Sequence, residues 1–291
     1  MENAITANPA LLRKLQKTGR SEVDIHSFLA RKYNTVDCHP VIRKNPFTRN
    51  LPKGLTDPSF ILTPDQMKYS IMQWLGFSGE FPRIEAMHFA CAPTKAIRQA
   101  ALNVLLSELG VNINVRTGNA EGHRFSHDLV HVRWVEECAE MLGIDTDQLN
   151  YWDRVSDKTR RFLTFLEESY GSRNGLVSMG ASFAVETWAG HGIGKAEDAD
   201  SENFWKQELI GLRLFNEMHR VPYGLKPLPE RFWALHWAVE RGHVVNVDDG
   251  LASIFAQPRF DMEKWLEGAQ HALDGVYLFF EGREEHRIGR I

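Results

Sequence analysis

From residue 63 onward the chain is punctuated as a series of helices, and this constrains its fold more than any other feature. Thr63-Pro64-Asp65 joins a side chain that can cap, a proline at the first helical position and an acid that complements the helix dipole. An amphipathic run, Met67 to Leu75, follows. Thr94 to Leu109 reads as a buried, central helix stopped by Gly110. Further helices are expected over Glu121–Leu142, Ser156–Tyr170, Gly175–Ala189, Ser201–Met218, Pro229–His243 and Asp261–Glu281, with Gly143 and Gly171 closing the first two. Period-2 alternation is nearly absent. The β-leaning pieces Val111–Val115 and Val244–Val247 are too short and isolated to build a sheet, so the predicted class is all-α.

Residues 1–62 have a different texture. Two short helical segments, Pro9–Lys17 and Glu22–Tyr33, precede a Pro- and Lys/Arg-containing stretch from His39 to Pro58. With too few apolar residues for a core of its own, this part is expected to be an arm packed on one helical domain spanning 63–291. The run from Lys195 to Glu202 reads as a solvated acidic loop.

The formal charge of −4 is small and the basic residues are scattered, which argues against a nucleic-acid partner. No apolar run is long enough to span a membrane, and Met1-Glu2-Asn3-Ala4 does not open a signal peptide, so a cytoplasmic location is expected. Three widely spaced cysteines, Cys38, Cys91 and Cys138, exclude a Cys-x-x-Cys site. A metal here must use nitrogen and oxygen ligands.

The segment Leu235 to His243 offers such ligands. His236, Glu240 and His243 stand at i, i+4 and i+7, within about 60° of one another on a helix. Chance placement of 12 His and 38 acidic residues in 291 positions yields roughly 0.06 such patterns. Imidazole with carboxylate suits iron, manganese or zinc. The plainer alternative is an amphipathic helix with His236 in the core and the other two in water.

Glu186 sits among Ala181, Phe183, Ala184, Val185 and Trp188, where a carboxylate is costly to bury unless paired or bound to metal. Glu121, His123, His127 and His131 crowd a third segment. The histidines at i, i+4 and i+8 share one helix face, and spacing does not choose among them. Trp188, Phe232, Trp233 and Trp237 are expected to wall a pocket or fill the core.

Taken in order, these residues resemble the haem-oxygenase-like diiron oxidases. The resemblance covers roughly residues 90–280, and its most specific piece runs from Phe232-Trp233-Ala234-Leu235-His236 through His243. It implies a haem-oxygenase-like helical bundle, similar to haem oxygenase and thiaminase-type proteins, holding two ferrous ions with O2 as co-substrate. The ligands it implies are Glu121, His131 (with His127 competing), Glu186, His236, Glu240 and His243. Glu240 departs from the Asp usual in the family, adding a methylene. Glu85 and Glu108 are further carboxylates without an assigned place. The implied activity is N-oxygenation, desaturation or oxidative C–C cleavage of an amino-acid-like, amine or fatty-acid substrate in specialised biosynthesis. The implied partners are that small molecule, an external electron donor and a second copy in a homodimer.

Three rival readings stand beside it. A ferritin-like diiron protein would use Glu85-x-x-His88 and Glu240-x-x-His243, but the chain has no Glu between Glu22 and Glu80 to complete it. A metal-free enzyme of thiaminase or quinone-cofactor-synthesis type would need a reactive thiol, and Cys138 lies among Glu136, Glu137 and Glu140. The last is a non-catalytic helical binding protein.

Overall fold

The structure, a computed structural model, describes residues 8–113, 120–147, 151–193 and 202–290, and the backbone alone for residues 113, 120–124 and 240–246. In chain order the N-terminal helices are α1 (Pro9–Leu15), α2 (Glu22–Lys32) and α3 (Pro40–Arg43), and 3-10 turns lead on to α4 (Pro64–Cys91) and α5 (Lys95–Glu108). A hairpin of β1 (Leu109–Ile113) and β2 (Ala120–Val130) follows, then α6 (His131–Met141), α7 (Asp157–Tyr170), α8 (Gly175–Ala189), α9 (Phe204–His219), α10 (Arg231–Phe255) and α11 (Met262–Arg287).

Local chemistry starts these helices where the sequence says it should. Thr63 Oγ accepts from the Gln66 N–H and Gln66 Oε1 accepts from the Thr63 N–H, a closed capping box with Pro64 behind it. Thr94, Ser156, Asn174 and Asn203 cap α5, α7, α8 and α9 in the same way through their side-chain oxygens.

The all-α expectation holds, with one addition. Residues 121–142, read from the sequence as one helix, run as strand to Val130 and turn helical only at His131. Gly122, Ser126 and Asp128 are weak helix formers, and β1 supplies the strand with a partner. The pairing is antiparallel, with Leu109 opposite Val130, Val111 opposite Phe125 and Ile113 opposite Ala120. The Val111 segment thus finds a strand partner, whereas Val244–Val247 is absorbed into α10. Helix α5 is less central than its apolar content suggested: it fully buries Ile97, Ala101, Ser107 and Glu108 and leaves the rest half-buried or exposed.

Helix α11 runs through the middle, packed on α8 and α7. A Cβ at Gly180 would lie 1.9 Å from the Trp265 carbonyl oxygen, and one at Gly268 would lie 1.9 Å from the Val177 oxygen. The glycines let the backbones of α8 and α11 touch, so Gly180 serves helix packing and does not leave space for a substrate. Around Trp74 the rings of Phe77, Phe204, Trp205, Phe232 and Phe279 lie with centroids 5.2–6.5 Å away. This aromatic core ends against the side chain of His236, whose ring stacks on Trp205 at 4.5 Å.

The N-terminal helices lie against the last two. Phe28 of α2 meets Phe255, Phe260 and Trp265, Arg20 Nε donates to the Phe255 carbonyl at 2.9 Å, and Lys14 pairs with Asp249 at 2.8 Å.

Candidate metal centre

Four elements aim side chains at one buried point. Glu108 is the last residue of α5 and His131 the first of α6, with the whole hairpin between them. Because Leu109 pairs with Val130, the base of the hairpin brings residues 23 positions apart into contact, and His131 Nδ1 lies 3.0 Å from Glu108 Oε1. Gly110 keeps that base closed. Its φ is +88°, and a Cβ there would meet the Ser126 carbonyl oxygen at 2.5 Å and the Val130 side chain at 2.9 Å. From α10, His236 places Nε2 3.8 Å from the same carboxylate oxygen. From α8, buried Glu186 lines the space beside all three.

The three residues that converge leave ligand atoms unused. His236 Nδ1 lies 2.7 Å from the Phe232 carbonyl oxygen, which can only accept, so Nδ1 carries a hydrogen and Nε2 is the ring atom left to face a metal. His131 Nδ1 is buried without a hydrogen-bond partner, since its approach to Glu108 is off the line of an N–H···O bond. Its ring is held by stacking on Trp134, itself anchored by an indole N–H to the Asp128 carbonyl. Burial pushes the Glu108 carboxyl up, but the adjacent imidazoles, His131 before His236, outweigh it and hold the group below the usual carboxylate range.

One ligand atom from each of Glu108, His131 and His236 falls within 4.8 Å of the other two. Two ligand atoms about 2.1 Å from one ion and about 90–110° apart would be roughly 3.0–3.4 Å from each other, so the observed spacings fit a shared divalent ion after small adjustment. Two imidazoles and one carboxylate on one side, with the rest open, is the donor set of non-haem Fe(II) oxygenases, though zinc also accepts it.

A space of about 40 Å³ adjoins the cluster, walled by Phe77, Val104, Val185, Trp188 and Phe232. A larger cavity of about 240 Å³ lies beyond, and Val104 and Glu186 line both. Of the aromatic residues singled out in the sequence, Trp188 and Phe232 line the small space, Trp233 is core and Trp237 is half-buried.

The positions expected from sequence divide into three groups. His131 and His236 meet, and Glu186 faces the same space. His127 is exposed on β2, so it is His131 that reaches the cluster. Glu240 and His243 follow His236 along α10 and Glu121 and His123 lie on β2, but these four side chains are outside the described residues, as is most of the acidic run 195–202. The carboxylate that meets both imidazoles is Glu108, which sequence reasoning left unplaced. Its signal resembled that of Glu186: a lone acid ending an apolar stretch, Leu102 to Leu106. Glu85 is buried on α4, three residues before buried His88. Cys138 is buried with its thiol pushed up, first by desolvation and then by Glu137, so burial contributes more than the neighbouring acids singled out in the sequence.

In three dimensions the chain is similar to a TenA homologue from Pseudomonas syringae pv. tomato, with a TM-score of 0.55 and 12% identity over 88% of this chain and 91% of that one. The likeness shows the fold, a haem-oxygenase-like helical fold. No family model and no curated protein sequence matches the chain. No helix among the described residues is long and apolar enough to cross a membrane.

Proposed function

We propose that this chain is a non-haem iron enzyme that oxidises a small organic substrate with O2. The observation that carries the reading is the buried convergence of Glu108, His131 and His236, with a histidine nitrogen left unpartnered inside it. Bound iron would supply O2 reduction; the chain's own residues do the rest. Glu108, His131 and His236 hold the ion, and the Phe232 carbonyl fixes the tautomer of His236. Phe77, Trp188 and Phe232 give the adjoining space an apolar wall. A second ion is expected to draw on Glu186 and on Glu240 and His243, one and two turns beyond His236 on α10, with Glu121 as a further candidate. A metal-free enzyme built on thiol chemistry is less well supported, because Cys138 is buried and held protonated.

Anaerobic loading with ferrous iron tests the proposal. Two equivalents retained after desalting, with O2 uptake on exposure to air and both lost in H236A, are the expected results. No retained iron, or retention indifferent to H236A, would sink the reading.

A further inference from the structure

The larger cavity is built to receive a particular kind of molecule. Most of its wall is apolar, with Ile97, Ala101, Met179 and Phe183 prominent; its polar lining is His88, Glu186 and Asp249, which carry no amide or hydroxyl donor, together with Gln99, Asn103 and Ser182. His88, on α4, is 2% exposed, and its Nδ1 lies 2.7 Å from Ser178 Oγ. The Ser178 hydroxyl spends its one hydrogen on the Tyr170 carbonyl at 2.8 Å, so towards the ring it can only accept. Nδ1 therefore carries the hydrogen. Nε2, on the opposite side of the ring, is left with the lone pair, and the hydrogen bond described for this ring is the one at Nδ1. Burial lowers the imidazole pKa to about 4 despite the opposing charge of Glu186, so His88 remains a neutral acceptor near pH 7.

We propose that this cavity binds a primary amine carrying an apolar body, with the ammonium group donating to His88 Nε2 and lying near Glu186 while the tail fills the wall of Ile97, Ala101, Met179 and Phe183. A carboxylate in the same place would face a lone pair and a like charge. An engineered cavity of about 150 Å³ accepts benzene, so by proportion this one holds roughly nine or ten non-hydrogen atoms. Glu186 also lines the space at the metal cluster, which puts the amine end nearest the chemistry. That the amine is a substrate rests on the iron reading; that it binds does not.

Calorimetric titration of the metal-free protein with 2-phenylethylamine, phenylacetate and ethylbenzene tests the assignment. The amine is expected to bind at least about tenfold more tightly than the acid, the scale of one hydrogen bond to a charged group. H88F should remove about that factor for the amine and leave ethylbenzene unchanged. S178A, which keeps the ring and frees its tautomer, should weaken the amine several-fold. Phenylacetate binding as tightly as the amine, or amine affinity unchanged in whichever of the two variants folds, would overturn the proposal. Amine binding by protein that retains no iron would defeat the oxidase reading alone, and retained iron without amine preference would defeat only the cavity assignment.

Discussion

Arg283 and Glu108 are both charged side chains buried among aromatic residues, and their surroundings treat them in opposite ways. Arg283 makes a two-pronged pair with Glu208, donates from Nε to Ser70 Oγ at 3.1 Å and lies over the Phe47 ring at 4.1 Å. That cluster is complete in itself. Glu108 faces two histidines from other elements, yet one approach is misdirected and the other is 3.8 Å long. The first arrangement is how a fold disposes of buried charge; the second leaves ligand atoms that the proposed ion would use. Burial of charge is therefore no sign of function by itself, and the unmet geometry is what separates a site from a strut.

Breaking each cluster should show the difference. E208A strands a buried guanidinium and is expected to cost about 3–5 kcal/mol in urea denaturation. E108Q should cost the metal-free protein less than E208A does, but abolish the gain of about 2.7 kcal/mol that ferrous iron or a cobalt(II) surrogate at a hundredfold its Kd gives wild type. Equal losses in the two metal-free variants would erase the distinction.

The next effect concerns the hairpin, which has no counterpart at Arg283. G110A places a Cβ against Ser126 and Val130 and should part Glu108 from His131. Metal affinity is expected to fall about 10–100-fold, as for other residues that orient ligands. In a C38S background, an oxidised L109C/V130C pair across the same register should restore it to G110A; no recovery would show that the hairpin base does not set the ligand spacing.

The smallest effect is at Asp248, a third buried charge intermediate between the two clusters. Burial raises its pKa to about 6 against the opposing pull of Lys32 and Lys14. The folded chain then holds this proton more tightly than the unfolded chain, so its contribution to stability grows as pH falls through 6 and is lost as pH rises through it. D248N should raise the melting temperature at pH 7.5 and leave it nearly unchanged at pH 4.5. A uniform shift at both values would assign the effect to packing instead of titration.

Much of the helical frame is legible in the chain because its signals are local. Thr63, Thr94 and Ser156 stand beside the N–H groups they cap, whereas the helix expected from Ser201 starts at Phe204 under the Asn203 cap, and the weak helix formers around Gly122 are the local mark of the strand. Glu186 and His236 are legible for a related reason: their neighbours in sequence already surround a polar head with apolar groups. Glu108 was visible only as an unassigned acid, since its partners are 23 and 128 positions away.

By itself, the sequence determined an all-α chain with buried histidine and carboxylate groups suited to a nitrogen- and oxygen-ligated metal, because capping, periodicity and side-chain chemistry are properties of adjacent residues. The tertiary structure decided that Glu108 joins His131 and His236, that His127 stays in water, and that His88 lines a cavity with its Nδ1 turned to Ser178. Those outcomes depend on strand register and helix docking, which are fixed by contacts between segments far apart in the chain.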